Sequence, residues 1–225
     1  MSKRIQELRE KFNQGEMSIE EAIKAIKENA NAKFDETVEV HVKLGIDLKK
    51  PDQKVRASVN LPHGTGKTKT VAVFTSMKQD EAKEGGADLV GADDLIEEIK
   101  KTGKVNQEVI IATPEMMPKL AKIAKILGPK GLMPSPKSGT VTENVKDIIK
   151  AIKAGQVEFR SDDSGSTHAP LGKVSFDENK LVENFSAFIE ALRKAKPESQ
   201  KGVFIKSISL CSTMGIGIKV SSIKN

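Results

Sequence analysis

The run Leu61-Pro62-His63-Gly64-Thr65-Gly66-Lys67-Thr68 places a lysine and a threonine directly behind glycines. That arrangement is phosphate chemistry: backbone amides and an ammonium group cradle the phosphates of a nucleotide, and the hydroxyl meets a magnesium ion. The chemistry has two further requirements. A first glycine must stand five places before the second, and a helix must follow so that its N-terminal amides face the phosphates. Leu61 occupies the first position, and Lys69-Thr70-Val71-Ala72-Val73-Phe74 is a β-branched strand pattern. The loop therefore reads as a bend between two domains, with Gly64 and Gly66 as hinge residues free in φ and ψ and Lys67 and Lys69 solvated. A nucleotide-dependent enzyme using the following α/β region is the alternative reading.

Three other stretches carry residues suited to binding. From Met116 to Thr142 there is no acidic residue, and Lys119, Lys122, Lys125, Lys130 and Lys137 all fall within it. The first three run beside an apolar helix face, and the last two sit in the proline- and glycine-rich loop Leu127–Thr142. A basic stripe leading into a rigid basic loop suits phosphate contacts, and it equally suits a solvated helix face with a structural turn. After Glu198 the chain again has no acid, and Ser212-Thr213-Met214-Gly215 falls at a break between two strands. Gly215 and Gly217 permit close approach to a sugar or phosphate, or simply a hairpin turn. In Ala32-Lys33-Phe34-Asp35-Glu36-Thr37, an aromatic beside a lysine is suited to stack on a base while the amine meets a phosphate, although a phenylalanine also suits a core.

Catalytic groupings are sparse. His41, His63 and His168 are dispersed, without metal-ligand spacing, and no cofactor or metal is expected. Cys211 lies in a strand and reads as a small buried residue; a lone cysteine offers no internal disulfide and suits a reducing compartment. Asp93-Asp94 reads as a helix cap and Asp162-Asp163 as a turn. With no Trp or Tyr, stacking platforms for single strands are scarce, which favours recognition of a folded RNA by shape and backbone contacts. The net charge of +6 makes a polyanionic partner more plausible. No apolar run reaches the roughly 20 residues of a membrane-spanning helix, and the amphipathic N-terminus has no secretory apolar region.

The elements that must position these residues change style along the chain. Ile5, Leu8 and Phe12 mark a first helix ended by Gly15. Ser18 and Glu21 form a capping box for a second, carrying Ile19, Ala22, Ile23 and Ile26. Thr37–Leu44 alternates strictly, the mark of a half-buried antiparallel strand, and Lys54–Leu61 is a second strand, stopped by Pro62. Beyond Lys69, strands and helices alternate: strand 70–74, helix 77–86, strand 87–91, helix 93–101, strand 108–113, a helix from Pro114 to Leu127, helix 143–155 and strand 156–160. This predicts a parallel sheet with crossover helices. Residues 161–170 read as a turn-rich link. Strand 172–176, a helix with Leu181, Phe185, Phe188, Ile189 and Leu192 on one face, and strands 202–210 and 215–220 restore the α+β style. The expected architecture is a discontinuous α+β domain, 1–66 plus 160–225, with a Rossmann-like α/β domain inserted at 67–159.

Taken together, Ala32–Asp47, Leu61–Lys67, Leu127–Val141, Lys153–Arg160 and Ser212–Gly215 resemble the bacterial large-subunit ribosomal protein L-one family, over almost the whole chain. The resemblance implies a non-enzymatic protein of the 50S subunit, monomeric when free and cytoplasmic. It implies binding to a folded stalk site in large-subunit ribosomal RNA through the two-ended domain. It further implies help in releasing deacylated tRNA from the exit site, and repression of the protein's own mRNA. The family's RNA-contact pattern falls on Lys33, Phe34, Thr37, Arg160, His168, Ser207, Thr213, Met214 and Gly215. Lys122, Lys125, Lys130 and Lys137 become a secondary contact. Ile216 stands where many members have proline.

Overall fold

The alternating stretch from Thr37 becomes an inner strand of a four-stranded sheet in the computed structural model, which describes residues 3–12, 15–103 and 105–221, the side chains of Arg4, Pro51 and Lys137 excepted. In chain order the elements begin α1 Lys3–Phe12, α2 Ile19–Asn29, β1 Thr37–Leu44, β2 Arg56–Asn60 and β3 Val71–Phe74. They continue α3 Gln79–Glu84, β4 Leu89–Gly91, α4 Asp93–Thr102, β5 Val109–Ala112, α5 Met117–Leu120 and α6 Ala124–Leu127. The last are α7 Val145–Lys153, β6 Gln156–Arg160, β7 Ser166–Lys173, α8 Glu178–Lys194, β8 Ile205–Ser212 and β9 Ile218–Val220. Helix α2 starts as its sequence predicts: the Glu21 amide donates to Ser18 Oγ, and the Ser18 amide donates back to Glu21 Oε2.

The chain packs as two units. One runs to Gly66 and resumes at Val157; the other is Lys67–Gln156. In the first, the sheet order is β7-β1-β8-β9, with antiparallel pairing throughout. Period-2 geometry sends Val38, Val40, Val42 and Leu44 to one face, where Ile208, Leu210, Ala169, Leu171, Ile218 and Val220 join them. Helices α2 and α8 cover that face, contributing Ile23, Ile26, Leu181, Phe185, Phe188 and Leu192. Burying these side chains stabilises by roughly 1.5–3 kcal/mol each before conformational entropy is counted. Strands β2 and β6 form a two-stranded sheet, and α8 packs on β2.

In the second unit β4-β3-β5 is a parallel sheet. Val71 and Val73 face a core with Ala82, Val145, Ile149 and Ile152; Ala72 and Phe74 face another with Ile96, Ile99, Met116, Leu120 and Leu127. Burial on both faces is why this strand reads as a continuous apolar run.

The structure corrects the sequence reading in four places. The boundary at the end of the second unit falls at Val157, not 160, because β6 pairs with β2 and buries Val157 and Phe159 beside Phe188. The expected link 161–170 is half strand: Thr167, Ala169 and Leu171 alternate into the core, so β7 begins at Ser166, and it ends at Lys173 rather than Phe176. The helix expected from Pro114 to Leu127 is broken into α5 and α6 with 3₁₀ turns at Pro114–Met116 and Ala121–Ile123. Pro114 and Pro118 remove backbone donors from its first turns; nothing in the sequence accounts for the second break. Asp93 and Asp94 are the first residues inside α4, whose N-cap is Ala92 and makes no side-chain cap.

Candidate nucleic-acid interface

The uncovered face of the first sheet carries the polar half of each alternating strand. Glu39, His41 and Lys43 of β1 lie between Ser207, Ser209 and Cys211 of β8 on one side and Ser166, His168 and Pro170 of β7 on the other. At one end of this face, the segment before β1 meets the turn after β8. Thr37 donates its amide to Thr213 Oγ1 at 3.0 Å, and the Thr213 amide donates to the Thr37 carbonyl at 3.1 Å. Buried Glu36 links three chain segments. Its carboxylate accepts from the amides of Ala32 at 3.2 Å and Met214 at 2.9 Å, and its carbonyl accepts from the Val174 amide at 2.9 Å. Asp35 accepts from the Ser175 amide and hydroxyl, and Lys173 Nζ donates to the Asp35 carbonyl and to Thr37 Oγ1.

These bonds hold a rigid platform from which Phe34 and Met214 project, 55% and 56% exposed, beside exposed Lys33. Two apolar side chains left in water on a pinned backbone, with a cation alongside, are what stacking on a base and contact with its phosphate require. Thr37 is buried and its backbone is bonded to Thr213, so its part is to fix the turn. Gly215 has no positive φ; a Cβ there would lie 2.5 Å from Ser212 Oγ, so any larger residue requires that hydroxyl to move.

The other sequence candidates are more spread. Ser207 is exposed on β8, six residues from Thr213, or roughly 20 Å along the strand. Arg160 and His168 line one cleft of about 680 Å³ with Lys54, Arg56 and Asp162. Ser166's amide, with Ser164's hydroxyl, holds the Asp162 carboxyl far below the usual carboxylate range. Lys201 and Lys206 line a second hollow of about 560 Å³ with Lys50, a residue that the sequence pattern does not single out. In the second unit Lys122 and Lys125 are exposed, Lys130 Nζ donates to the Gly103 carbonyl at 3.4 Å, and Lys119 pairs with Asp93 at 2.7 Å. The side chain of Lys137 lies outside the described residues.

Sequence separation hides the relation between the histidines and the cysteine. His41 and His168, 127 residues apart, approach to 2.6 Å between their Nδ1 atoms because β1 and β7 place them opposite each other. Cys211 is on the polar face of β8, not in the core, with its Sγ 3.0 Å from His41 Nε2. Two buried polar residues that fix backbone in the first unit escape the sequence reading. Glu36 lies unremarked inside the Lys33–Thr37 stretch. Asn184 is a polar residue on the apolar face of α8, and that mismatch is the available signal. It is fully buried, accepts from the His63 amide, and donates to the Gly64 and Leu171 carbonyls.

Asn184 also bears on the glycine loop. Gly64 and Gly66 have φ of 63° and 73°; the Gly64 carbonyl accepts from Asn184, and a Cβ on Gly66 would lie 2.8 Å from Lys173 Cγ. Residues 67–70 form no helix and lead into β3, so the helix N-terminus of a phosphate loop is missing there. Lys67 is exposed, but Lys69, expected in solvent, donates to the Gln156 carbonyl at 2.8 Å. Among the described residues no helix is long and apolar enough to cross a membrane.

A model of the ribosomal protein L1p/L10e family matches residues 26–216, from within α2 to just past the Met214 turn. The chain belongs to that family. Membership makes this L1p/L10e protein a ribosomal RNA-binding protein associated with the large subunit. The matched span takes in both the Lys33–Thr37 segment and the Thr213–Gly215 turn.

Proposed function

We propose that this L1p/L10e protein binds a folded stalk site of large-subunit ribosomal RNA through the unit built from both chain ends. The observation that carries this reading is the platform at Glu36, Thr37 and Thr213, which presents Phe34, Met214 and Lys33 outward on a fixed backbone. Pre-organised contacts lose little entropy on binding and so favour one RNA shape over others. His168 and Ser207 extend the contact along the open face, Arg160 adds to it from the cleft it shares with His168, and Gly215 keeps the turn narrow.

The second unit acts as a Rossmann-like inserted domain. Its lysines Lys122, Lys125, Lys130 and Lys137 supply a secondary, sequence-independent contact with RNA or tRNA. On the ribosome the protein helps deacylated tRNA leave the exit site. Away from it, as a cytoplasmic monomer, it binds a similar fold in its own mRNA and represses translation. It works by binding, without catalysis. The test is a titration of the full chain with isolated stalk RNA and with an unrelated hairpin of equal length. Affinity at least about a thousandfold tighter for stalk RNA is expected, by analogy with specific nucleic-acid recognition. Equal affinity for both would leave only non-specific binding and sink the reading.

A further inference from the structure

We propose that Glu39, His41 and Cys211 form a binding site for a divalent transition cation of the zinc class on the uncovered face of the sheet. The strand register builds the site. Glu39 and Cys211 are direct partners across β1 and β8, and His41 lies two residues from Glu39, on the same face. His41 Nε2 is 3.0 Å from Cys211 Sγ and 3.9 Å from Glu39 Oε2, and the three donor atoms lie within 4.8 Å of one another. Bond lengths of about 2.0–2.3 Å in a tetrahedral zinc site put its ligand atoms about 3.3–3.8 Å apart. Small side-chain rotations therefore close the set around one ion.

A chain of hydrogen bonds fixes which nitrogen of His41 is available. Asp162 is held as a carboxylate by the Ser166 and Ser164 amides and the Ser164 hydroxyl. As an acceptor it takes the proton on His168 Nε2, 3.2 Å away. In the tautomer with that proton on Nε2, His168 presents an Nδ1 lone pair to His41 Nδ1–H, 2.6 Å away between nitrogens. His41 is left with its own lone pair on Nε2, the atom that faces Cys211 and Glu39. The second ring thus does for His41 what a carboxylate or backbone carbonyl does for most ligating histidines: it takes the proton on the other ring nitrogen and fixes the ring's orientation.

The donor chemistry selects the ion. One imidazole nitrogen, one thiolate and one carboxylate suit zinc or cobalt, whereas magnesium and calcium demand oxygen ligands. A nucleophilic Cys–His pair is the competing use of these groups. Burial pushes the Cys211 thiol up to about 11, the opposite of what a nucleophile needs. A bound cation removes that proton directly. The His41 and Glu39 side chains are 32% and 40% exposed, so ions can enter and a water can fill the fourth position.

The test is titration of untagged full-length protein with cobalt(II) at near-neutral pH, followed by displacement with zinc(II). One ion per chain should bind, with a thiolate-to-cobalt charge-transfer band and tetrahedral visible bands, both removed by zinc. Cys211→Ser should abolish the charge-transfer band, and His41→Gln should weaken zinc binding by at least about tenfold. His168→Gln, which removes no ligand atom, should weaken it about tenfold by disordering His41. Circular dichroism and melting curves establish that each variant is folded. Absence of a thiolate band in the parent, or zinc affinity unchanged in folded Cys211→Ser, overturns the proposal.

Discussion

The turn at Thr213–Gly215 and the acid-free stretch from Met116 to Thr142 both invite a nucleic acid, and they are built on opposite plans. The turn has little charge of its own. The amides of Thr213 and Met214 and the Thr213 hydroxyl are engaged with Glu36 and Thr37, and the apolar side chains that reach solvent are Phe34 and Met214, beside exposed Lys33. The basic stretch has charge without such fixing: Lys122 and Lys125 project from a broken helix that carries two prolines in its first turns, while Lys119 is already paired with Asp93. Mobile lysines on a surface attract any polyphosphate and lose their advantage in salt; a fixed stacking platform discriminates between shapes. Under the proposed function, the first region carries specificity and the second general affinity.

The sharpest way to break that contrast is to dissolve the platform. Glu36→Ala removes the carboxylate that accepts from the amides of Ala32 and Met214, in a half-buried place. Charge-assisted bonds of this kind contribute about 1.5–3 kcal/mol each, so a stability loss of about 3–5 kcal/mol is expected. In protein that remains folded, stalk-RNA affinity should fall by about a hundredfold, because ordering the turn now opposes binding. Urea unfolding and an RNA titration measure the two effects. Unchanged RNA affinity would mean that Phe34 and Met214 do not act as a fixed pair.

Next in size is Gly215→Val, expected to cost about thirtyfold in stalk-RNA affinity through crowding at the turn. The structure adds a control. Because the added Cβ meets Ser212 Oγ at 2.5 Å, the double variant Gly215→Ala with Ser212→Ala relieves the clash within the protein. If affinity returns in the double variant, glycine serves the turn. If it stays low in a folded protein, glycine admits the RNA backbone.

A smaller effect tests the other region. Lys122→Ala with Lys125→Ala should weaken both stalk RNA and the unrelated hairpin by similar few-fold factors. The slope of log affinity on log salt should shrink by about 0.7–0.9 for each phosphate that is no longer neutralised. Selective loss of stalk-RNA binding would move specificity into the second unit.

How far the sequence announced these features follows from the range over which each is determined. Capping at Ser18 and Glu21, the alternation of Thr37–Leu44 and the two-sided run Val71–Phe74 are local patterns, and the elements formed there. The site was half legible. Lys33, Phe34 and Met214 could be singled out as residue types, but their joining across 176 residues, Thr37 to Thr213, depends on β1 lying beside β8. The His41–His168–Cys211 cluster was invisible for the same reason, since cross-strand pairing brings it together and no sequence spacing encodes it. The broken helix at Pro114–Leu127 was missed although Pro118 stood in view, because a proline in a first turn is compatible with a continuous helix.

The smallest effect belongs to Lys67, the residue with the most suggestive sequence. Its motif promises a P-loop, but three features of the surrounding chain deny it one. Leu61 is buried where the first glycine belongs, Gly64 is bonded through its carbonyl to Asn184, and the backbone after Thr68 enters a strand. No ring of amides is therefore available for a triphosphate, and an exposed lysine by itself meets at most one phosphate. Lys67→Ala should leave stalk-RNA affinity within about a few-fold, the effect of removing one surface charge near a phosphate. Calorimetric titration of the parent with ATP or GTP and magnesium should show no saturable heat. Micromolar nucleotide binding abolished by Lys67→Ala would reverse the comparison, because the second unit would then hold the specific ligand and the platform only the general one.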